Sequence, residues 1–265
     1  MNLEQLHSNA EELERRLRLQ TFPIAIKLLK TEADIPEGAT RPKRDLDYHL
    51  YLCQAFAMSR REGKTMALLK EDMWCPEPVI GYGLAEPPEY FLEGHNRFPR
   101  NVATLEAGSN FAHEFPRLEI GKCVGVASAP LTAANFEPDV VIVYCNSAQL
   151  AVLLQGMQYR DGRALQTALC PHAACVYSVV PAIKQRRYQV SIPCGGDRRM
   201  AMAADDEVIF TVPGEQVEDL MLGLRHNAEN GSTLPLAHSM APESEQPPGY
   251  GKIARMMGMD WVTLS

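Results

Sequence analysis

Asp139-Val140-Val141-Ile142-Val143-Tyr144 reads as a strand whose Val140 to Tyr144 form an unbroken apolar run, and Gln149 to Tyr159 follows it as a helix. An apolar run without alternation marks a strand covered on both faces, so helices are expected on either side of a sheet. Lys122 to Ser128 upstream reads the same way, and Tyr188 to Ile192 and Glu207 to Val212 downstream add two more strands. Between them Ala174 to Gln185 reads as a helix, and Glu215 to Asn227 closes the region with Val217, Leu220, Met221 and Leu224 on one face.

Working back toward the N-terminus, Leu3, Leu6, Ala10, Leu13 and Leu17 recur at helical spacing and predict an amphipathic helix. Pro23 to Leu28 reads as a strand, and Thr31 to Lys43 as an exposed connection. A helix from Leu46 to Arg61 ends in the basic turn Arg60-Arg61 and the glycine stop Gly63, and Thr65 to Leu69 is a strand. Glu86 to Glu119 has no clean period. The expected fold is α/β or α+β, a single compact domain with a mixed sheet. It divides into halves 1–119 and 120–230, and the tail 231–265 packs back onto them.

The order of motifs suggests the division. Cys53 lies in a helix that runs through Arg60-Arg61 to a strand and then to Cys75-Pro76. Cys175 opens a helix that runs through Lys184 to Arg187 to a strand and then to Cys194-Gly195-Gly196. Cysteine, helix, basic turn, strand, cysteine occurs twice, as a degenerate duplication would leave it.

Composition narrows the function. With 265 residues, 46% of them apolar, the chain has material for a sizeable core. A formal charge of −7 and the lack of a long Lys/Arg run argue against a nucleic-acid surface. The apolar runs are far shorter than the roughly 20 residues of a membrane-spanning helix. The acidic start, with Glu4, Glu11, Glu12 and Glu14, is unlike a secretory signal, so a cytoplasmic location is expected. There, seven cysteines are expected as thiols.

Those thiols carry the candidate chemistry. If the two units pack as pseudo-symmetric halves, four of Cys53, Cys75, Cys170, Cys175 and Cys194 converge, as a [4Fe–4S] cluster or a tetrahedral zinc site requires. Cys123 and Cys145, inside apparent strands, read as core packing. In Cys194-Gly195-Gly196-Asp197-Arg198-Arg199 the glycines allow close approach, and Arg198, oriented by Asp197, offsets the charge of a cluster or an anion. His172 reads as a helix-start residue. The rival readings are a non-catalytic pocket lined by Gly81 to Leu84 and Cys194 to Arg199 that takes a tetrapyrrole or small anion, and a thiol enzyme using Cys194 or Cys75. No phosphate-binding loop, dinucleotide fingerprint or serine-hydrolase elbow is present, so no motif names a reaction. The expected partner is a small molecule or a redox protein, with oligomerisation open.

The N-terminal helix followed by Pro23-x-Ala25-Ile26-Lys27, the Cys53 helix leading to Cys75-Pro76 and Gly83-Leu84, and Ser191-x-Pro193-Cys194-x-Gly196-Asp197-Arg198 resemble the domain of unknown function 169 family of bacteria and archaea. The resemblance spans nearly the whole chain. It implies a prokaryotic cytoplasmic origin and a compact domain, and it points to Cys53, Cys75, Cys170 and Cys194 without supplying catalytic residues.

Overall fold

The centre of the molecule is a six-stranded antiparallel sheet in the order β2-β3-β1-β4-β6-β5. In the computed structural model, which describes residues 2–234 and 246–259, the strands are β1 (Ile24–Leu29), β2 (Met66–Leu69), β3 (Gly125–Pro130), β4 (Val140–Cys145), β5 (Gln189–Ser191) and β6 (Val208–Pro213). The helices of residues 2–234 are α1 (Leu3–Leu17), α2 (Pro42–Leu46), α3 (Leu52–Glu62), α4 (Pro76–Gly81), α5 (Glu89–Leu92), α6 (Leu105–Glu114), α7 (Ser147–Gln158), α8 (Ala174–Tyr177), α9 (Val180–Gln185), α10 (Gly195–Met200) and α11 (Val217–Glu229). Residues 235–265 form a separate unit, whose described part carries the short helix α12 (Tyr250–Met256). The expected return of the 231–265 tail therefore falls in part, at residues 235–245 and 260–265, outside the described residues.

β3 and β4 are buried at every position, as the apolar runs require, because the sheet is covered on both faces. Alternate residues divide between two cores. Ile24, Ile26, Met66, Val126, Ile142 and Ile209 pack with α3, α4, α8 and α9. Ala25, Ala67, Ala127, Val141, Phe210 and Val212 pack with the apolar faces of α1, α7 and α11. Burial of those faces supplies the main favourable term, about 1.5–3 kcal/mol for each fully enclosed large aliphatic side chain.

The sheet register is twofold. β1 and β4 meet at Ile24↔Ile142, Ala25↔Val141 and Ile26↔Val140. On one side Ile24 pairs with Pro130 and Met66 with Ser128. On the other side Val140 pairs with Pro213 and Gln189 with Thr211. A half-turn about the central Ala25/Val141 pair therefore exchanges β1 with β4, β3 with β6 and β2 with β5, register included. In strand pairing β3 goes with β1 and β2, so one triplet extends to Pro130. α3 precedes β2 as α8 and α9 precede β5, which gives the repeated motif order a structural counterpart.

Several expected elements change at their ends. The helix expected over 174–185 is two helices, because Pro181 has no N–H to donate to the preceding turn. The 46–61 helix is α2 and α3 with an extended link, Leu50 bridging to Met73. The connection 31–43 is not wholly exposed, since Arg41 and Pro42 are buried.

α7 and α11 cross at glycines. A Cβ at Gly223 would lie 2.1 Å from the Gly156 carbonyl oxygen and 2.8 Å from Tyr159 Cβ. Gly223→Ala is expected to cost about 1–3 kcal/mol by overpacking. Urea unfolding checks this, and an unchanged midpoint would show that the crossing tolerates a methyl group.

Candidate functional site: a four-thiol cavity

A cavity of about 540 Å³ opens on the α3/α8 side of the sheet, and Cys53, Cys75, Cys175 and Cys194 all line it. Each cysteine sits at a helix start. Cys53 and Cys175 are the second residues of α3 and α8, and Cys75 and Cys194 are the N-cap residues of α4 and α10. The four come from the corresponding places of the two strand triplets, so the fold's internal symmetry brings them together. Cys53 and Cys175 are buried; Cys75 and Cys194 are half-buried.

The other three cysteines lie elsewhere. Cys123 is buried and its thiol donates to the Tyr82 carbonyl at 3.3 Å. Cys145 ends β4 in the opposite core. Cys170, offered as a ligand candidate, does not line the cavity: it lies in the irregular stretch before α8. Its five-residue offset from Cys175 spans Ala173, whose φ of 46° turns the chain through the left-handed region before the helix begins.

α10 corrects the reading of the Cys194 segment. It is a helix, so Gly195, Gly196, Arg199 and Met200 share the cavity side. A Cβ at Gly196 would lie 3.5 Å from Cys194 Sγ and 3.9 Å from Cys53 Sγ, so glycine leaves both sulfurs uncovered. Arg198 faces away, donating to the Ala204 carbonyl at 2.6 Å and standing 3.6 Å from Asp205. Asp197 does not orient it. Asp197 is fully buried and accepts from the Tyr144 hydroxyl at 3.0 Å, the Cys194 thiol at 3.0 Å and the Cys194 N–H at 3.3 Å.

Beneath Tyr144 lies the cation of this network. The Arg60 guanidinium stacks 3.8 Å from the Tyr144 ring centroid and pairs with Glu207 at 2.8 Å. Arg60, in the basic last turn of α3 as the sequence predicts, is 1% exposed. It also donates to the Met202 carbonyl, which ties the end of the Cys53 helix to the chain after α10.

Apart from His172, the remaining wall comes from residues without a sequence signal. Glu77, Asn96, Arg97, Arg100, Asn101 and His172 line it, the middle four from the connection between α5 and α6. Arg97 pairs with Glu77 and stacks over Phe111 at 4.2 Å. Burial, with the Arg97 charge beside it, lowers the His172 pKa and so favours the neutral ring. Gly81 to Leu84, expected on this wall, lie beneath it: Tyr82 is buried and donates to the Cys175 carbonyl at 2.8 Å.

Burial raises the pKa of every cavity thiol. Cys75 is pushed up to about 12 by burial and then by Glu77; Cys53 and Cys175 also rise through burial, and Cys194 through burial and Asp197. A buried thiol that resists ionisation binds its proton more tightly folded than unfolded. Its stabilising contribution is present below the unfolded thiol value and is lost as pH rises through the folded one. The metal-free protein is therefore expected to lose stability above about pH 9, and its cavity thiols to alkylate at least ~10-fold slower than free cysteine at pH 7. Iodoacetamide labelling with mass readout checks this; fast labelling of Cys75 or Cys194 would contradict it.

Among the described residues, no three His, Cys, Asp or Glu side chains are grouped closely enough to hold a single metal ion.

Fold and site together define a class: an antiparallel sheet between two helical layers, with a cysteine pair from each strand triplet opening onto one cavity. The DUF169 family model, described as uncharacterised ArCR, matches residues 12–223, and the chain belongs to that family. All four cavity cysteines lie inside the match. The chain is similar to an uncharacterised protein of Methanocaldococcus jannaschii, MJ0308, with 24% identity over 229 residues, covering 85% of this chain and 96% of the relative. No solved structure matches the chain. No described helix is long and apolar enough to cross a membrane.

Proposed function

We propose that this chain is a cytoplasmic iron–sulfur protein with redox or electron-transfer character, its [4Fe–4S] cluster held by Cys53, Cys75, Cys175 and Cys194. The observation that carries the reading is the sharing of one cavity by these four thiols. The donor set fits the group. A [4Fe–4S] cluster takes four cysteine thiolates, each through a different iron, and four thiols line this cavity. When bound, the cluster supplies one-electron transfer.

The chain's own residues prepare that site. The four thiols are protonated in the metal-free protein, so loading releases protons and tightens as pH rises. Asp197 holds the Cys194 side chain and backbone in place, and Arg60 supplies a buried positive charge behind it. Raised thiol pKa values count against a free nucleophilic cysteine, because the thiolate is the reactive form. The partner is a small molecule or a redox protein.

Anaerobic purification followed by an ultraviolet–visible spectrum and iron and sulfide analysis tests the proposal. A broad brown absorption with about four irons and four sulfides per chain is expected. Sharp, intense bands would assign the cavity to a tetrapyrrole instead, and colourless, iron-free protein would refute the cluster.

A further inference from the structure

The cavity has a second chemistry opposite in sign to that of the thiolates. Among the described residues Glu77 is the one carboxylate lining it, and it is paired with Arg97. That leaves Arg100 and Arg199, which have no hydrogen-bond or ion-pair partner among the described residues. The excess is local, since the chain as a whole carries a formal charge of −7.

Arg97 is also fixed and incompletely satisfied. Its side chain is 10% exposed, pinned by Glu77 and by the Phe111 ring, yet its Nε–H is buried without an acceptor. The neighbouring Asn96 has a buried Oδ1 without a donor. Unsatisfied buried polar atoms cost stability wherever they occur, and two of the five such side-chain atoms among the described residues belong to neighbouring residues on one wall of this cavity. That cavity, at about 540 Å³, has the size of a small-molecule site.

We infer that the thiol cavity also binds a small oxyanion-bearing molecule, a carboxylate or phosphate, through the guanidinium groups of Arg97, Arg100 and Arg199. The planar guanidinium offers paired N–H groups matched to two oxygens of such an anion, and Arg97 is already oriented by its stacking and its ion pair. Asn101 and the neutral His172 ring add polar contacts on the same wall. The inference rests on this cavity being the functional site, and it places a ligand beside the proposed cluster.

Titration calorimetry on the full chain at low salt tests it, with inorganic phosphate in one arm and succinate in the other. Both arms use cluster-loaded and metal-free protein, with iron and sulfide measured on each sample. Saturable one-to-one binding of at least one anion is expected, weakened tenfold or more in Arg100→Gln/Arg199→Gln and unchanged in Arg187→Gln, a surface control away from the cavity. Binding of phosphate alone or succinate alone would support the inference and identify the head group. No saturable binding in either arm, or equal binding by the double variant, would overturn it. Anion binding by iron-free protein would uphold it even where the cluster reading fails, and normal iron content with no anion binding would overturn it while leaving the cluster intact.

Discussion

Arg60→Met is expected to destabilise the metal-free protein by about 3–5 kcal/mol, because removing one partner of a buried ion pair leaves the other charge uncompensated. The Arg60 side chain is 1% exposed and that of Glu207 11%. The substitution also removes the cation from the Tyr144 ring and strands the Met202 carbonyl. Because Arg60 joins the end of α3 to the chain following α10, its loss also loosens Cys53 against Cys194. Urea unfolding measures the first effect, and Arg60→Met/Glu207→Leu is expected to recover part of the loss by removing the orphaned carboxylate. A loss under 1 kcal/mol would show that water reaches this network.

The second large effect is expected at Asp72. Its carboxylate is fully buried and accepts from Arg41 Nε at 3.0 Å, Arg41 Nη2 at 2.9 Å, the Lys43 N–H at 3.0 Å and the Leu69 N–H at 2.9 Å. Its backbone carbonyl accepts from the Leu50 N–H, and the Trp74 N–H donates to the Leu50 carbonyl. The segments leading into Cys53 and Cys75 are thereby zipped together. Asp72→Ala is expected to cost about 3–4 kcal/mol, leaving two backbone donors and a buried guanidinium short of acceptors. Thermal unfolding with iron content measures both effects. Normal stability with lost iron would separate the loop's role in the site from its role in the fold.

The two networks are alike in physical design. In each, a buried arginine and a buried carboxylate hold the backbone beside a cavity cysteine, so fold stability and site geometry depend on the same groups. Gly223, in the opposite core, lies outside this coupling: Gly223→Ala is expected to lower stability while leaving the cavity unchanged.

How much was legible in the sequence follows from the kind of signal involved. Local apolar runs identify β1 to β4 and β6, because a strand covered on both faces has no alternation to confuse, whereas β5 lies in the alternating Tyr188-Gln189-Val190-Ser191-Ile192. The order of cysteine, helix, strand and cysteine marks Cys53, Cys75, Cys175 and Cys194, since it reflects the repeated topology. What failed was side-chain direction. Taking Arg198 to be oriented by Asp197 put it in the site, whereas one turn of helix brings Arg199 there and sends Arg198 outward. Nothing local marks Arg60 as buried, because its acceptors lie about 140 residues away in the chain. Arg97 and Arg100 lie in a stretch without period, and only tertiary packing brings it over the thiols.

The most direct test of the central claim, that four of the seven thiols form one cluster site, is iron and sulfide content of anaerobically purified protein across the seven single Cys→Ser variants. The expected result is a loss of half or more of both in the variants at Cys53, Cys75, Cys175 and Cys194, with full content kept at Cys123, Cys145 and Cys170. Loss at Cys170 with retention at Cys175, or an even decline across all seven, would contradict it.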